Sequence, residues 1–244
     1  MNGQEARRQL VQASGILAMQ GILDAFGHAS CRSPDRPDRF LMSRSKAPAL
    51  VADEDILELD LDGTPVSAPD ERVFLERFIH SEIYRARPDV HAVVHSHAHH
   101  VIGFTVVPEA RVRPIWHMCG FLGEVGAPFD VADHAGPASD LLIRSPELGQ
   151  RFAEHLGTGT VGLMRSHGYT VVGRSIAEAV FHAVYTARNC HIQTAALTLG
   201  DPVYLSPGEI AACEATMTGQ TDRAWDLWVH ELDLMRRTSH APNA

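Results

Sequence analysis

The stretch Glu76–His100, ERFIHSEIYRARPDVHAVVHSHAHH, constrains this chain more than any other part of it. Its middle, HAVVHSH, is an apolar, Val-rich run that reads as a short strand. Strand alternation then puts His95 and His97 on one face and Ser96 on the other. Two imidazoles on one face, two residues apart, are spaced to share a metal ion. Upstream, VFLERFIHSEIYRARP reads as a helix that ends at Arg87 before Pro88. Glu76 and His80, four apart, lie on one side of that helix, where a carboxylate can reach the same ion. His-x-His pairs occur widely on solvated surfaces with no ligand role. Here an apolar strand carries the pair and a third histidine, His167, follows downstream, so the metal reading is the stronger one. His91, His99 and His100 have no spacing that asks for a ligand.

With 244 residues, 45% of them hydrophobic, the chain fits one domain with a sizeable core. A net charge of −9 and the lack of any basic stripe argue against a nucleic-acid partner. No apolar stretch has the length of a membrane span, and the opening MNGQEARRQLVQASG lacks the apolar core of a signal peptide. Cys31, Cys119, Cys190 and Cys213 include no C-x-x-C pair and read as free, mostly buried thiols. A cytoplasmic protein is the expectation.

The rest of the chain reads as alternating helices and short strands. Residues 4–25 have helical periodicity, strands follow around Ala29–Arg32 and Phe40–Ser43, and SPDRPDR turns between them. Ser43, Arg44, Ser45 and Lys46 form a loop that is either a solvated turn or an anion cradle. ILELDLDG is a strand whose Asp62-Gly63 marks a hairpin turn. A short helix from about Ala98 leads to expected strands near Val112–Trp116 and Phe129–Val131, flanking a Gly-punctuated loop, His117–Glu124. Helices are expected at Ala138–Arg144 and Pro146–His155. VGLMRSHGYTVVG then supplies two strands around Ser166-His167-Gly168, with His167 at a strand end, and a long helix covers about Ser175–Leu199. Helices near Pro207–Thr216 and Asp222–Arg237 make a C-terminal helical tail, about 200–244, on a single 1–244 domain. The class is α/β, with no internal repeat.

Taken together, Gly27-His28-Ala29-Ser30, Glu76-Arg77-Phe78-Ile79-His80, the run Arg87–His97 and the His167–Gly173 hairpin resemble the class II aldolase/adducin family. The resemblance runs from the first helix to the long helix after His167. It implies a three-layer α/β/α fold around a largely antiparallel sheet, and a homotetramer with active sites between neighbouring subunits. It also implies one divalent metal ion per subunit on His95, His97 and His167, with Glu76 as a fourth ligand or the acid/base. Ser30 falls in its substrate-binding loop.

Departures from that pattern narrow the substrate. Sugar-phosphate aldolases of the family hold phosphate with a Thr/Gly loop and a Ser-Ser pair before the Glu, whereas this chain has Ser43-Arg44-Ser45-Lys46 and Phe74-Leu75. Apolar side chains cannot satisfy a buried phosphate dianion. An arginine suits a planar carboxylate. SRSKAPAL and HMCGFLGE look like the branch that decarboxylates hydroxylated aromatic ortho-dicarboxylates, of pyridine and phthalate type. The expected activity is therefore a metal-dependent carboxy-lyase, with Arg44, Ser43 and Ser45 holding the second carboxylate. Glu76, its pKa raised by apolar Phe74 and Leu75, would donate the proton, ahead of His117 and then Tyr185. A class II-type aldolase acting on a non-phosphorylated hydroxy-keto acid is the alternative enzyme. A non-catalytic adducin-like interaction domain is the alternative of another class, disfavoured by a full ligand set. Zn, Mn, Fe and Co all suit such ligands. Arg32, Arg165 and Arg188 read as salt-bridge or surface residues.

Overall fold

The structure, a computed structural model, describes residues 1–66 and 68–239. Its centre is one six-stranded sheet in which every pairing is antiparallel: β1 (His28–Arg32), β2 (Arg39–Ser43), β3 (Ile56–Asp60), β4 (Ala92–Ser96), β5 (Val161–Met164) and β6 (Gly168–Gly173), in the order β3-β2-β1-β4-β6-β5. Alternation along these strands feeds two cores. Ala29, Cys31, Leu41, Val94 and Val171 pack against α1 (Gly3–Met19), α3 (His99–Val106), α6 (Ile176–Leu199) and α8 (Thr221–Ser239). Phe40, Met42, Val93 and Val172 pack on the other face against α2 (Arg77–Ala86) and α5 (Pro146–Leu156). Ile79 and Ile83 of α2 are fully buried there, each contributing about 1.5–3 kcal/mol of transfer free energy. The three-layer expectation therefore holds; α7 (Pro207–Met217) follows α6, and α8 inserts Trp228 and Leu232 into the first core.

Several local expectations are corrected. The first helix stops at Met19 because the chain turns at Gly21, whose φ is +67°. Glu76 is not within α2 but caps its start. No strand forms at Val112–Trp116. Its backbone groups are taken instead by side chains of α6: Asn189 accepts from Ile115 N and donates to Arg113 O, while Gln193 accepts from Arg113 N and donates to Arg111 O. Phe129–Val131 makes only one bridge, Phe129 to Met164. Ala138–Arg144 is not helical; a short α4 (Ala132–Ala135) precedes it, and the segment runs irregularly past the site described next, with Leu141 at a φ of +64°. No helix among the described residues is long and apolar enough to cross a membrane.

Candidate metal centre

β4 lies at the middle of the sheet, so its end is walled by neighbours on both sides: His28 of β1 and Thr170 of β6 stand opposite His95. Two glycines let those neighbours close in. A Cβ at Gly168 would fall 2.1 Å from Ser96 O, and one at Gly27, where φ is +82°, would fall 2.9 Å from His95 O. His167 immediately precedes the first of these glycines and is thereby carried to the end of β4.

Glu76, His95, His97 and His167 converge there, with one donor atom from each lying within 4.8 Å of the others. His97 Nε2 is 3.0 Å from His95 Nε2 and 3.1 Å from His167 Nε2, and Glu76 Oε2 is 3.4 Å from both His95 and His167 Nε2. Donors about 2.0–2.1 Å from one ion stand roughly 3–4 Å apart, the spacing of the four pairs just given. The donor set thus fits a divalent cation. The opposite edges of two rings are engaged as such a site requires. His95 Nδ1 faces Tyr169 O and Thr170 Oγ1 at 3.2 and 3.3 Å, and His167 Nδ1 faces Leu141 O at 3.0 Å. An Nδ1–H given to a carbonyl leaves the Nε2 lone pair for metal. Glu76 Oε1 accepts from Ile143 N at 3.1 Å, which orients Oε2 toward the histidines. The segment misread as a helix therefore supplies two supports of the site.

Burial alone would raise the Glu76 carboxyl pKa, but the flanking His95 and His167 outweigh it and hold the group well below its ordinary range. The expectation of a raised pKa is corrected: Phe74 instead packs on the His28 ring at 4.4 Å, and Leu75 is exposed. Burial lowers His95, with Glu76 opposing it, and carries His97 down to about 3. At His167 burial opposes the charge, yet its hydrogen bond and charge attraction to Glu76 prevail and raise it.

The other residues singled out in the sequence are placed as follows. Ser30 is buried, its Oγ 2.6 Å from His80 Nδ1 and 2.7 Å from the Tyr84 hydroxyl. His80 Nε2 is in turn 2.7 Å from His28 Nδ1, so four side chains form a continuous polar chain ending beside His95. His28 and His80 had signals in the sequence, alternation with Ser30 and an i+4 relation to Glu76, that were not read as site features. Arg44 pairs with the fully buried Asp55 at 2.6 Å and approaches Glu71 at 3.5 Å, and Lys46 completes the Asp55 pairing at 2.6 Å. Arg44, the residue after β2, is thus committed to a buried carboxylate. Ser43 is buried and Ser45 exposed. Tyr185 stacks on Phe181 at 4.1 Å, inside the α6 core. His117 is exposed on a 3₁₀ turn, its ring beside Trp116. Arg32 donates to backbone carbonyls and Arg165 pairs with Asp130.

Comparison with known proteins gives the chain a family. The chain is 40% identical to a protein named decarboxylase tropJ from Talaromyces stipitatus, over 93% of both chains. It is 28% identical to a 3,4-dihydroxyphthalate decarboxylase of Arthrobacter keyseri, over 93% of this chain and 92% of that one. Among solved structures, an L-fuculose 1-phosphate aldolase from Glaciozyma antarctica shares the fold, with a TM-score of 0.79 at 21% identity over 97% of this chain and 91% of the other. The model of the class II aldolase and adducin N-terminal domain matches residues 8–194. A strand that presents His-x-His, flanked by glycines that admit a third histidine, thus stands within a recognised lineage: the chain belongs to the class II aldolase and adducin family.

Proposed function

We propose that this protein is a divalent-metal-dependent decarboxylase of a hydroxylated aromatic ortho-dicarboxylate, of dihydroxyphthalate or hydroxypyridine-dicarboxylate type. The carrying observation is the convergent Glu76–His95–His97–His167 set, in a family member whose relatives include named decarboxylases. Zn, Mn, Fe or Co would sit on these four residues, one ion per subunit, and supply a Lewis acid for the charge left as CO₂ departs.

The chain's own groups do the rest. Neutral imidazoles leave an ion its charge, and their Nδ1 contacts fix the ring orientations. Glu76, held ionised, is set to accept a proton before giving one. Once substrate displaces it from the ion, it takes the proton of the ring hydroxyl and returns it to the ring carbon vacated by CO₂; solvent then restores the hydroxyl. His117, exposed on its 3₁₀ turn, is the alternative donor in a homotetramer with active sites between neighbouring subunits. Arg44, flanked by Ser43 and Ser45, serves a substrate carboxylate only by sharing Asp55.

The test is CO₂ release across hydroxyphthalates and hydroxypyridine-dicarboxylates, before and after chelation and metal return. His97→Ala should lose the ion and the activity while keeping its far-UV circular dichroism. Activity that persists in the metal-stripped enzyme would sink the reading. Aldol cleavage of a hydroxy-keto acid without CO₂ release from any diacid would install the aldolase reading instead.

A further inference from the structure

A cavity of about 620 Å³ adjoins the metal centre, with His97 as part of its wall. That volume is in the range of small-molecule sites. Val184, Ala187, Arg188 and His191, spaced three and four apart, present one face of α6 to it. Leu23 and Trp116 add apolar wall. Apolar walls around one cation match a flat ring bearing a carboxylate.

Arg188 differs from Arg44 in what it touches. Arg44 is committed to a buried carboxylate. Among the described residues Arg188 has no carboxylate partner: one Nη donates to the Gln20 side-chain oxygen at 2.9 Å, and the guanidinium lies 5.1 Å from the centroid of the Tyr185 ring. Tyr185 is itself clamped between Phe181 at 4.1 Å and Trp116 at 5.3 Å. The guanidinium is thus braced from behind, with donors left over for a planar anion. Asp24, the carboxylate on the cavity wall, accepts from Phe26 N at 2.8 Å and is spent on its own turn.

We propose that this cavity is the carboxylate arm of the substrate site and that Arg188 holds the ring carboxylate that is not lost. The proposal rests on the decarboxylase reading for the identity of the substrate, but its test is a binding measurement that needs no turnover. Phthalate, which lacks the hydroxyl, and phthalamide, its uncharged isostere, are titrated against the full-length protein, both EDTA-stripped and zinc-resupplied. Tryptophan fluorescence reports occupancy, and Trp116→Phe shows that the signal arises in this cavity.

The wild type should prefer phthalate to phthalamide. Arg188→Ala should weaken phthalate by about ten- to a hundredfold and leave phthalamide unchanged. Arg188→Lys should recover part of the loss, because an ammonium cannot form the paired fork. A phthalate preference that survives Arg188→Ala would overturn the proposal. So would no phthalate binding in either metal state, or light scattering showing that Arg188→Ala merely splits an oligomer that covers this face. Phthalate binding without CO₂ release from any hydroxylated diacid would leave Arg188 in place and refute the decarboxylase reading alone.

Discussion

Proton competition at the metal centre yields a numerical test of its geometry. Of the four ligands, Glu76 is held ionised and His95 and His97 are held neutral, whereas His167 is raised above its ordinary value of 6.5 by the same carboxylate. A single proton therefore stands between the apo site and an ion. Below the His167 pKa that proton must leave, so affinity should fall tenfold per pH unit; above it, affinity should be flat. At pH 5 binding should therefore be weaker than on the plateau, by that factor of ten for each unit below the His167 pKa. Co²⁺ or Zn²⁺ affinity measured against a chromophoric chelator from pH 5 to 7.5 gives the slope. Calorimetry in two buffers gives the proton count, to which an ion-bound water would add only at the upper end. In Glu76→Gln the attraction that raises His167 is gone, so affinity should drop overall while its pH slope flattens. Two protons released per ion, or affinity independent of pH in the wild type, would refute this account of the ligand charges.

Gly168→Ala would set a methyl 2.1 Å from Ser96 O. It should cost about 1–3 kcal/mol in urea unfolding and weaken metal binding, because β4 and His167 must part; unchanged metal affinity would count against a site built on that close approach. Ser30→Ala strands His80 Nδ1 and the Tyr84 hydroxyl in the interior, and should cost about 1–3 kcal/mol. Asp55 is depressed because Lys46, Ala52 N–H and Arg44 together outweigh its burial. Its contribution is therefore full above the unfolded carboxyl pKa and lost as pH falls through the folded one. Asp55→Asn should cost about 1.5–3 kcal/mol at neutral pH, with the gap to wild type closing below about pH 4; a gap independent of pH would show that the pairing contributes nothing.

What could be read in the sequence was whatever depends on local period and short spacing. The alternation that pairs His95 with His97 at the end of β4, the turn at His167-Gly168 and the end of α2 at Arg87 are of that kind, and all three lie where they were expected. The misreadings occur where backbone groups are satisfied from far away. Val112–Trp116 looks like a strand, but Asn189 and Gln193 take its hydrogen bonds from more than seventy positions downstream. Ala138–Arg144 looks helical, yet Ile143 N–H and Leu141 O are claimed by Glu76 and His167. Arg44 reads as a turn residue or part of an anion cradle, and nothing in its neighbourhood reveals that Asp55 is buried against it.

The chain His28–His80–Ser30–Tyr84 has a consequence for how this protein can diverge. Each member answers the polar need of the next at 2.6–2.7 Å in the interior. Replacing one with an apolar residue orphans a neighbour, and a buried unpaired group costs more than the bond it lost. Descendants can keep all four or exchange them together, but single steps between those states pass through a destabilised protein. These positions should drift as one block, and a homologue that changes Ser30 should be found to have altered His80 or Tyr84 with it.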